Sequence, residues 1–406
     1  MQPPWKSRFP GLLCSLSFCL FVPFAPPLQG GEPEPSQVEG GEPVWISHPG
    51  PWGELEVRSL YLEAPDSLVA GLKQPSSTTA WNFPGGSEAS IREVFSRAGL
   101  AAETITYLLD PQRILLHEGV WTVFADSMIV EALTTDQRSA IYTELARTPL
   151  NHMHQNPAYV VGNNADDWLR EAHLSDTQKE TVKKLLWHDG DLLAFSDVSV
   201  LLAEAHTDAE VRQVFKFMTR VRTLVVDVKL SHGQEAEAQA RYWTADGRLK
   251  DNQPLLSSLE ERSSMKAIDL THLLPAMARR RIYTFPSVES AAQGRLPDCQ
   301  WTSVNFFNSI PQDYFLDARI TGAHLKEAYD TVQAPYQYGD ILEFIDAHGN
   351  AMHACVYIAD DIVFTKNGDG MIKPWLLMWL SNVENLYMRD PGMHITGYRL
   401  KQQTPS

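Results

Sequence analysis

Between Asp298 and Asn367 the chain carries four short runs whose order narrows the folds it can adopt. The first is Asp298-Cys299-Gln300-Trp301-Thr302-Ser303-Val304-Asn305-Phe306-Phe307, where Asp298 is a helix-capping residue type and apolar residues recur through Ile310. The second and third, Gly339-Asp340-Ile341-Leu342-Glu343-Phe344-Ile345 and Met352-His353-Ala354-Cys355-Val356-Tyr357-Ile358, read as strands. The fourth, Asp361-Ile362-Val363-Phe364-Thr365-Lys366-Asn367-Gly368, is a further strand followed by a polar step. A thiol near a helix start, with an imidazole and an amide on a downstream sheet, is the layout of a Cys-His-Asn nucleophilic site.

Each residue type has a physical reason to stand where it does. At a helix N-terminus the partial positive charge favours the thiolate of Cys299, and a nearby imidazolium favours it further. His353, at the start of a strand, is the base that takes the thiol proton and returns it to a leaving amine. Asn367, fourteen residues later, offers an amide oxygen to the second ring nitrogen and so fixes the tautomer. Thr365 or Lys366 takes that place if the strand register differs by one or two residues. Lys366 is the weakest of the three, because a charged ammonium accepts no hydrogen bond. The competing reading is a structural Cys at a buried helix start and a structural His on a strand.

The chain has 406 residues, a length of about two or three domains. Its formal net charge of −16 argues against nucleic acid or an anionic membrane as the main partner, and no long Lys/Arg run offsets it. Four cysteines are present. Cys14 and Cys19 lie in an apolar N-terminal run, Gly11 to Leu28, behind Lys6 and Arg8. Residues 1–30 therefore read as a signal peptide, and Pro23, Pro26 and Pro27 disfavour a permanent span. Lipid modification of Cys14 stays open. In an exported protein Cys299 and Cys355 are a possible disulfide. However, Cys355 shares a strand face with His353, and reads instead as a small buried thiol beneath the helix of Cys299.

Residues 31–52, rich in Gly, Pro and Glu, read as a disordered linker. Residues 53–285 read as a helix-rich α+β domain, beginning with a strand over Gly53 to Leu62. A short helix is expected over Ser90 to Ala98, and a hairpin around His117-Glu118-Gly119. Residues 134–222 read as mostly helical, including Leu192 to Ala205, and Thr223 to Leu230 as a strand. Asp166-Asp167 reads as a helix start and His152/His154 as a poor metal pair. Trp81, Trp121, Trp168 and Trp187 read as core. In the last domain, residues 286–406, the run Trp375 to Leu380 reads as a buried helix and His394 to Leu400 as a final strand.

The ordered motifs Asp298-Cys299, Gly339-Asp340-Ile341-Leu342-Glu343-Phe344 and His353-Ala354-Cys355-Val356-Tyr357-Ile358 resemble those of the NlpC/P60 cysteine peptidases, over residues 290–400. The Lys366-Asn367-Gly368 step followed by Trp375 looks like the corresponding segment of papain-type proteases. Gln293, six residues before Cys299, sits where those enzymes keep an oxyanion-hole Gln. The resemblance implies a papain-like domain with a helix packed on an antiparallel sheet, no metal or organic cofactor, and a peptide or peptidoglycan-like substrate. It departs from the family at Gln300-Trp301, where a small pair is usual, so Gln300, Trp301 and Thr365 join Gln293 as oxyanion or substrate candidates. Arg295 and Arg279 to Arg281 are candidates for a substrate carboxylate. The function implied is an exported cysteine hydrolase of amide bonds, as in cell-wall peptides. Acyl transfer by the same thiol and a catalytically inactive envelope-binding scaffold are the alternatives.

Overall fold

The computed structural model describes residues 33–39, 42–71, 76–260 and 266–401. The expected signal peptide, with Cys14 and Cys19, lies outside the described residues. Two strands, β1 (Gln37–Glu39) and β2 (Glu42–Ile46), precede β3 (Leu55–Leu62), and β2 pairs with β3 so that Trp45 faces Val57. The linker expected over residues 31–52 is therefore corrected in part to sheet. The cause is Trp45, whose indole is 4% exposed, meets Trp379 edge-on at 6.3 Å, and donates from Nε1 to the Pro33 carbonyl. Burying so large an apolar surface outweighs the turn-rich composition around it.

After β3 the chain leaves this sheet for residues 64–220. This insertion holds β4 (Thr79–Pro84), β5 (Ile114–His117) and β6 (Val120–Ala125) in the order β4-β6-β5. Glu118 and Gly119, at φ 48° and 77°, make the two-residue turn of the expected β5–β6 hairpin. The helices Glu88–Arg97, Thr135–Leu145, Asp176–Lys184 and Asp208–Met218 each open on a capping box, at Ser87, Thr134, Ser175 and Thr207.

The wholly helical reading of residues 134–222 is corrected by a second small sheet, β7-β9-β8, made of β7 (Ala158–Tyr159), β8 (Trp187–Asp189) and β9 (Leu192–Phe195). Asp189 pairs with Leu192 across a tight turn, so the expected helix begins only at Val198. Trp81, Phe95, Tyr142, Trp168, Trp187 and Phe217 fill the insertion's core. His154 is buried edge-on against Tyr142 at 4.4 Å, and Asp166 and Asp167 stand in the first turn of Ala165–Leu169.

The chain then returns as β10 (Val221–Lys229), antiparallel to β3 from Val221↔Leu62 to Val228↔Leu55, with β11 (Ala267–Asp269) at the edge. The last third forms a six-stranded antiparallel sheet in the order β12-β17-β13-β14-β15-β16. Its strands are β12 (Tyr329–Val332), β13 (Ile341–Ile345), β14 (Ala351–Ala359), β15 (Ile362–Lys366), β16 (Trp375–Trp379) and β17 (His394–Leu400). The architecture is α+β. Trp375 to Trp379 is thus a strand, correcting the expected helix. Trp375, Leu377 and Trp379 enter one apolar cluster, and Leu376 and Met378 another. A strand covered on both faces is apolar at every position, which erases the alternation by which strands are read.

The expected division at residues 285/286 falls inside a shared core. Trp45, Leu55, Val57, Leu224 and Val226 pack in one cluster with Trp301, Val304, Val356, Phe364 and Trp375. Thr223 Oγ1 donates to the Leu377 carbonyl and accepts from the Leu377 N–H, both at 3.0 Å, joining β10 to β16. Among the described residues no helix is long and apolar enough to cross a membrane. Because Trp45 is anchored in this core, Trp45→Ala is expected to lower stability by about 3 kcal/mol in denaturant unfolding. A change below about 0.5 kcal/mol, as for a surface residue, would mean that this segment is not part of the folded unit.

Candidate active site

Cys299 is the first residue of the helix Cys299–Val304, and Asp298 caps it by accepting the Trp301 N–H at 2.7 Å. The helix lies against β14, on the side where Ala354, Val356 and Ile358 join its Trp301 and Val304 in one core cluster. The backbone N–H groups of Ala354, Gln300 and Cys299 lie near the Cys299 sulfur and favour its charged form. Ala354 can donate because the β14–β15 ladder extends from Ala359↔Ile362 to Val356↔Phe364, leaving Ala354 beyond its last pair. The sulfur therefore sits where two strands separate, beside the residue that follows His353.

His353 occupies the opposite face of β14, across from Phe344 on β13. It has no exposed surface. Its ring stacks on Tyr387 at 3.9 Å, nearly parallel, and meets Phe344 at 5.6 Å. Nε2 is bonded to Thr365 Oγ1 at 2.9 Å, and Thr365 in turn donates to Asn367 Oδ1 at 3.3 Å. Thr365, not Asn367, thus touches the imidazole, and Asn367 acts one hydrogen bond further out. The sequence could not choose between them, because a two-residue change of strand register exchanges the two roles. Nδ1 has no hydrogen-bond partner, and among the described residues no hydrogen bond joins it to the Cys299 sulfur.

Burial dominates the electrostatics. It pushes the Cys299 thiol up to about 11, with the Asp298 carboxylate adding to the rise and the three N–H groups opposing it. It lowers His353 to about 3. In the closed site both groups are therefore neutral at pH 7, since taking either charge out of water costs more than the local dipoles return. Cys299 retains 9% exposure, so the closure on its side is not complete. Cys299 and Cys355 are free thiols. Cys355 lies on the His353 face, in the cluster with Tyr387, Leu380 and Val383, and not in the cluster of the Cys299 helix as expected.

The remaining candidates are scattered. Gln300 donates from Nε2 to Glu343 Oε1 at 3.0 Å, and Trp301 is buried in the core, so its indole does not line a cleft. Gln293 is exposed at the end of the helix Val288–Ala292, and no described contact brings it to Cys299. Lys366 points to the side opposite Thr365 and donates to the Gly368 and Gly370 carbonyls; burial lowers it to about 8. The arginines proposed for a carboxylate have internal partners. Arg279 and Arg280 bind backbone carbonyls, Arg281 covers the Trp375 ring at 4.9 Å, and Arg295 pairs with Asp313.

The Gly339-Asp340 motif is structural. A Cβ on Gly339, at φ +90°, would lie 2.2 Å from the Phe307 ring, while Asp340 accepts both Arg399 nitrogens at 2.9 and 2.7 Å. Tyr387 was not anticipated, and nothing local in the sequence marks it; only the sheet order brings it to His353. Compared with protein-family models, with curated proteins and with solved structures, the chain matches none.

His353 and His154 both sit near 3 when folded, against 6.5 for a free imidazole, and burial is the cause for each. Below pH 6.5 the unfolded chain takes up these protons and the folded one does not. The stability associated with each neutral histidine is thus complete above 6.5 and is lost as pH falls toward 3, by about 1.4 kcal/mol per pH unit. Denaturant unfolding between pH 6.5 and about 5 is expected to show a loss of roughly 2 kcal/mol per histidine, with His154→Phe removing about half of the slope. An unchanged slope in that variant would refute the assignment.

Proposed function

We propose that this protein is an exported thiol hydrolase that cleaves an amide bond, with Cys299 as nucleophile and His353 as its base. The observation that carries this reading is the place of Cys299, the first residue of a capped helix that packs on β14, the strand that carries His353. Nδ1 is the ring nitrogen left for the thiol proton, while Thr365 holds Nε2. In the reaction the S–H proton passes to Nδ1 and the sulfur bonds to the carbonyl carbon. The C–N bond then breaks as the imidazolium returns that proton to the leaving amine, and water hydrolyses the thioester. The Cys299 and Gln300 N–H groups are suited to the developing oxyanion. The likeness of the motifs to NlpC/P60 peptidases favours a peptide of the cell wall as substrate, and the leader-like residues 1–30 favour export.

Burial of both groups, and the absence of a hydrogen bond between them, favour a second reading in which the unit is a non-catalytic envelope-binding scaffold. Incubating the purified chain with peptidoglycan fragments and analysing products by mass spectrometry separates the two. Cleavage lost in Cys299→Ala and His353→Ala supports the hydrolase; cleavage that survives Cys299→Ala, or none at all, defeats it. A competing amine captured in the product identifies acyl transfer. Thr365→Val is expected to reduce kcat about 10-fold or more, and Asn367→Ala less, because Thr365 and not Asn367 is hydrogen-bonded to the ring. The reverse ranking would return the orienting role to Asn367.

A further inference from the structure

His353 has no exposed surface, and the group lying flat on it, Tyr387, is itself half-buried. The same phenol packs on the apolar cluster that holds Cys355; burial, and then the Cys299 and Cys355 thiols, raise it above its ordinary value. Tyr387 ends the helix Leu380–Tyr387, and the backbone leaves helical geometry at Met388. Arg389 follows. Its Nη2 pairs with Asp189 Oδ1 at 2.6 Å and donates to the Asp189 carbonyl at 2.8 Å, while Nη1 donates to Tyr159 Oη at 3.0 Å. Tyr159 completes the arrangement by donating to Asp189 Oδ2 at 2.7 Å. Asp189 and Tyr159 stand on β8 and β7, so these contacts tie the cover of the candidate site to the insertion 64–220.

We propose that the segment Tyr387 to Asp390 is a lid over the Cys299–His353 pair, and that Arg389, held by Asp189 and Tyr159, is its latch. This rests on the hydrolase reading for the importance of the pair, but not for the closure itself. Leu380 and Val383 are buried, so the body of the helix stays in place when the lid moves. The moving part is the last turn, between Val383 and the Gly392 turn at φ +88°, where Leu386 and Tyr387 are only partly buried. Opening lifts the phenol from the imidazole and admits water and substrate to both reactive groups. The insertion thereby gains a role, since it supplies the carboxylate that holds the site shut. A latch built from one partly exposed ion pair and its hydrogen bonds is weak enough to open without unfolding its surroundings.

The test is the rate of iodoacetamide labelling of the full chain, read separately at Cys299 and Cys355 by peptide mass spectrometry. Arg389→Ala is expected to speed labelling of Cys299 at least about tenfold. Cys355, packed with Tyr387 in one apolar cluster, should label faster as well, and an unchanged denaturant midpoint reports that the sheet is intact. Asp189→Asn removes the same ion pair from the other side and should act in the same direction, and Tyr387→Ala should expose Cys299 with the latch still in place. Unchanged labelling of Cys299 in all three variants overturns the lid, as does faster labelling accompanied by a lowered denaturant midpoint, which would signal general loosening. The two ideas fail separately. Faster labelling in Arg389→Ala that is indifferent to a further His353→Ala leaves the lid and removes the hydrolase. Peptide cleavage with labelling unchanged in the three variants leaves the hydrolase and removes the lid.

Discussion

The indole of Trp375 is the contact through which the candidate site is held to the rest of the molecule. It is completely buried, and its Nε1 donates to Thr302 Oγ1 at 3.0 Å, in the helix that Cys299 begins. Its backbone exchanges hydrogen bonds with Tyr283 and Thr284, and it pairs with Lys366 across the β15–β16 ladder. Arg281 and Lys366 lie over its ring at 4.9 and 5.7 Å. One side chain thus fixes the helix, the edge of the sheet and the segment leading in from the first sheet. In a close-packed interior such a group has no room to shift alone, so the sulfur's position is set by the whole core.

That rigidity explains the chemical state of the site. The helix start and three N–H groups favour negative charge on the sulfur, yet removal of water raises the thiol, and Asp298 adds to the effect. On the other face of β14 the imidazole is enclosed by Phe344, Tyr387 and Thr365, none of which carries a charge to stabilise an imidazolium. Low dielectric strengthens fixed dipoles but penalises unpaired charge more heavily, so burial keeps both groups neutral. Ionisation of either group needs hydration, which none of these neighbours supplies.

The parts of the fold governed by local rules were legible along the chain. The Asp298 cap marks the helix of Cys299, the Glu118-Gly119 turn marks its hairpin, and the β-rich runs mark β3 and β10. Where tertiary burial overrides pattern, the reading failed. Trp375 to Trp379 is apolar on both faces and passed for a helix. Trp45 sits in a Gly- and Pro-rich stretch and passed for part of a linker, and Leu192 to Phe195 was absorbed into the helix that follows it.

The chain order of Asp298, Cys299, His353, Thr365 and Asn367 follows from the sequence by itself, as does the capped helix beneath the thiol, because capping and strand alternation depend on neighbours a few residues away. Which hydroxyl or amide meets the imidazole, which face of β14 carries it, and that Tyr387 covers it were settled by strand register and sheet order. Those depend on partners two hundred positions distant or more, such as Asp189 and Tyr159 for Arg389, and no local pattern encodes which distant surfaces will meet.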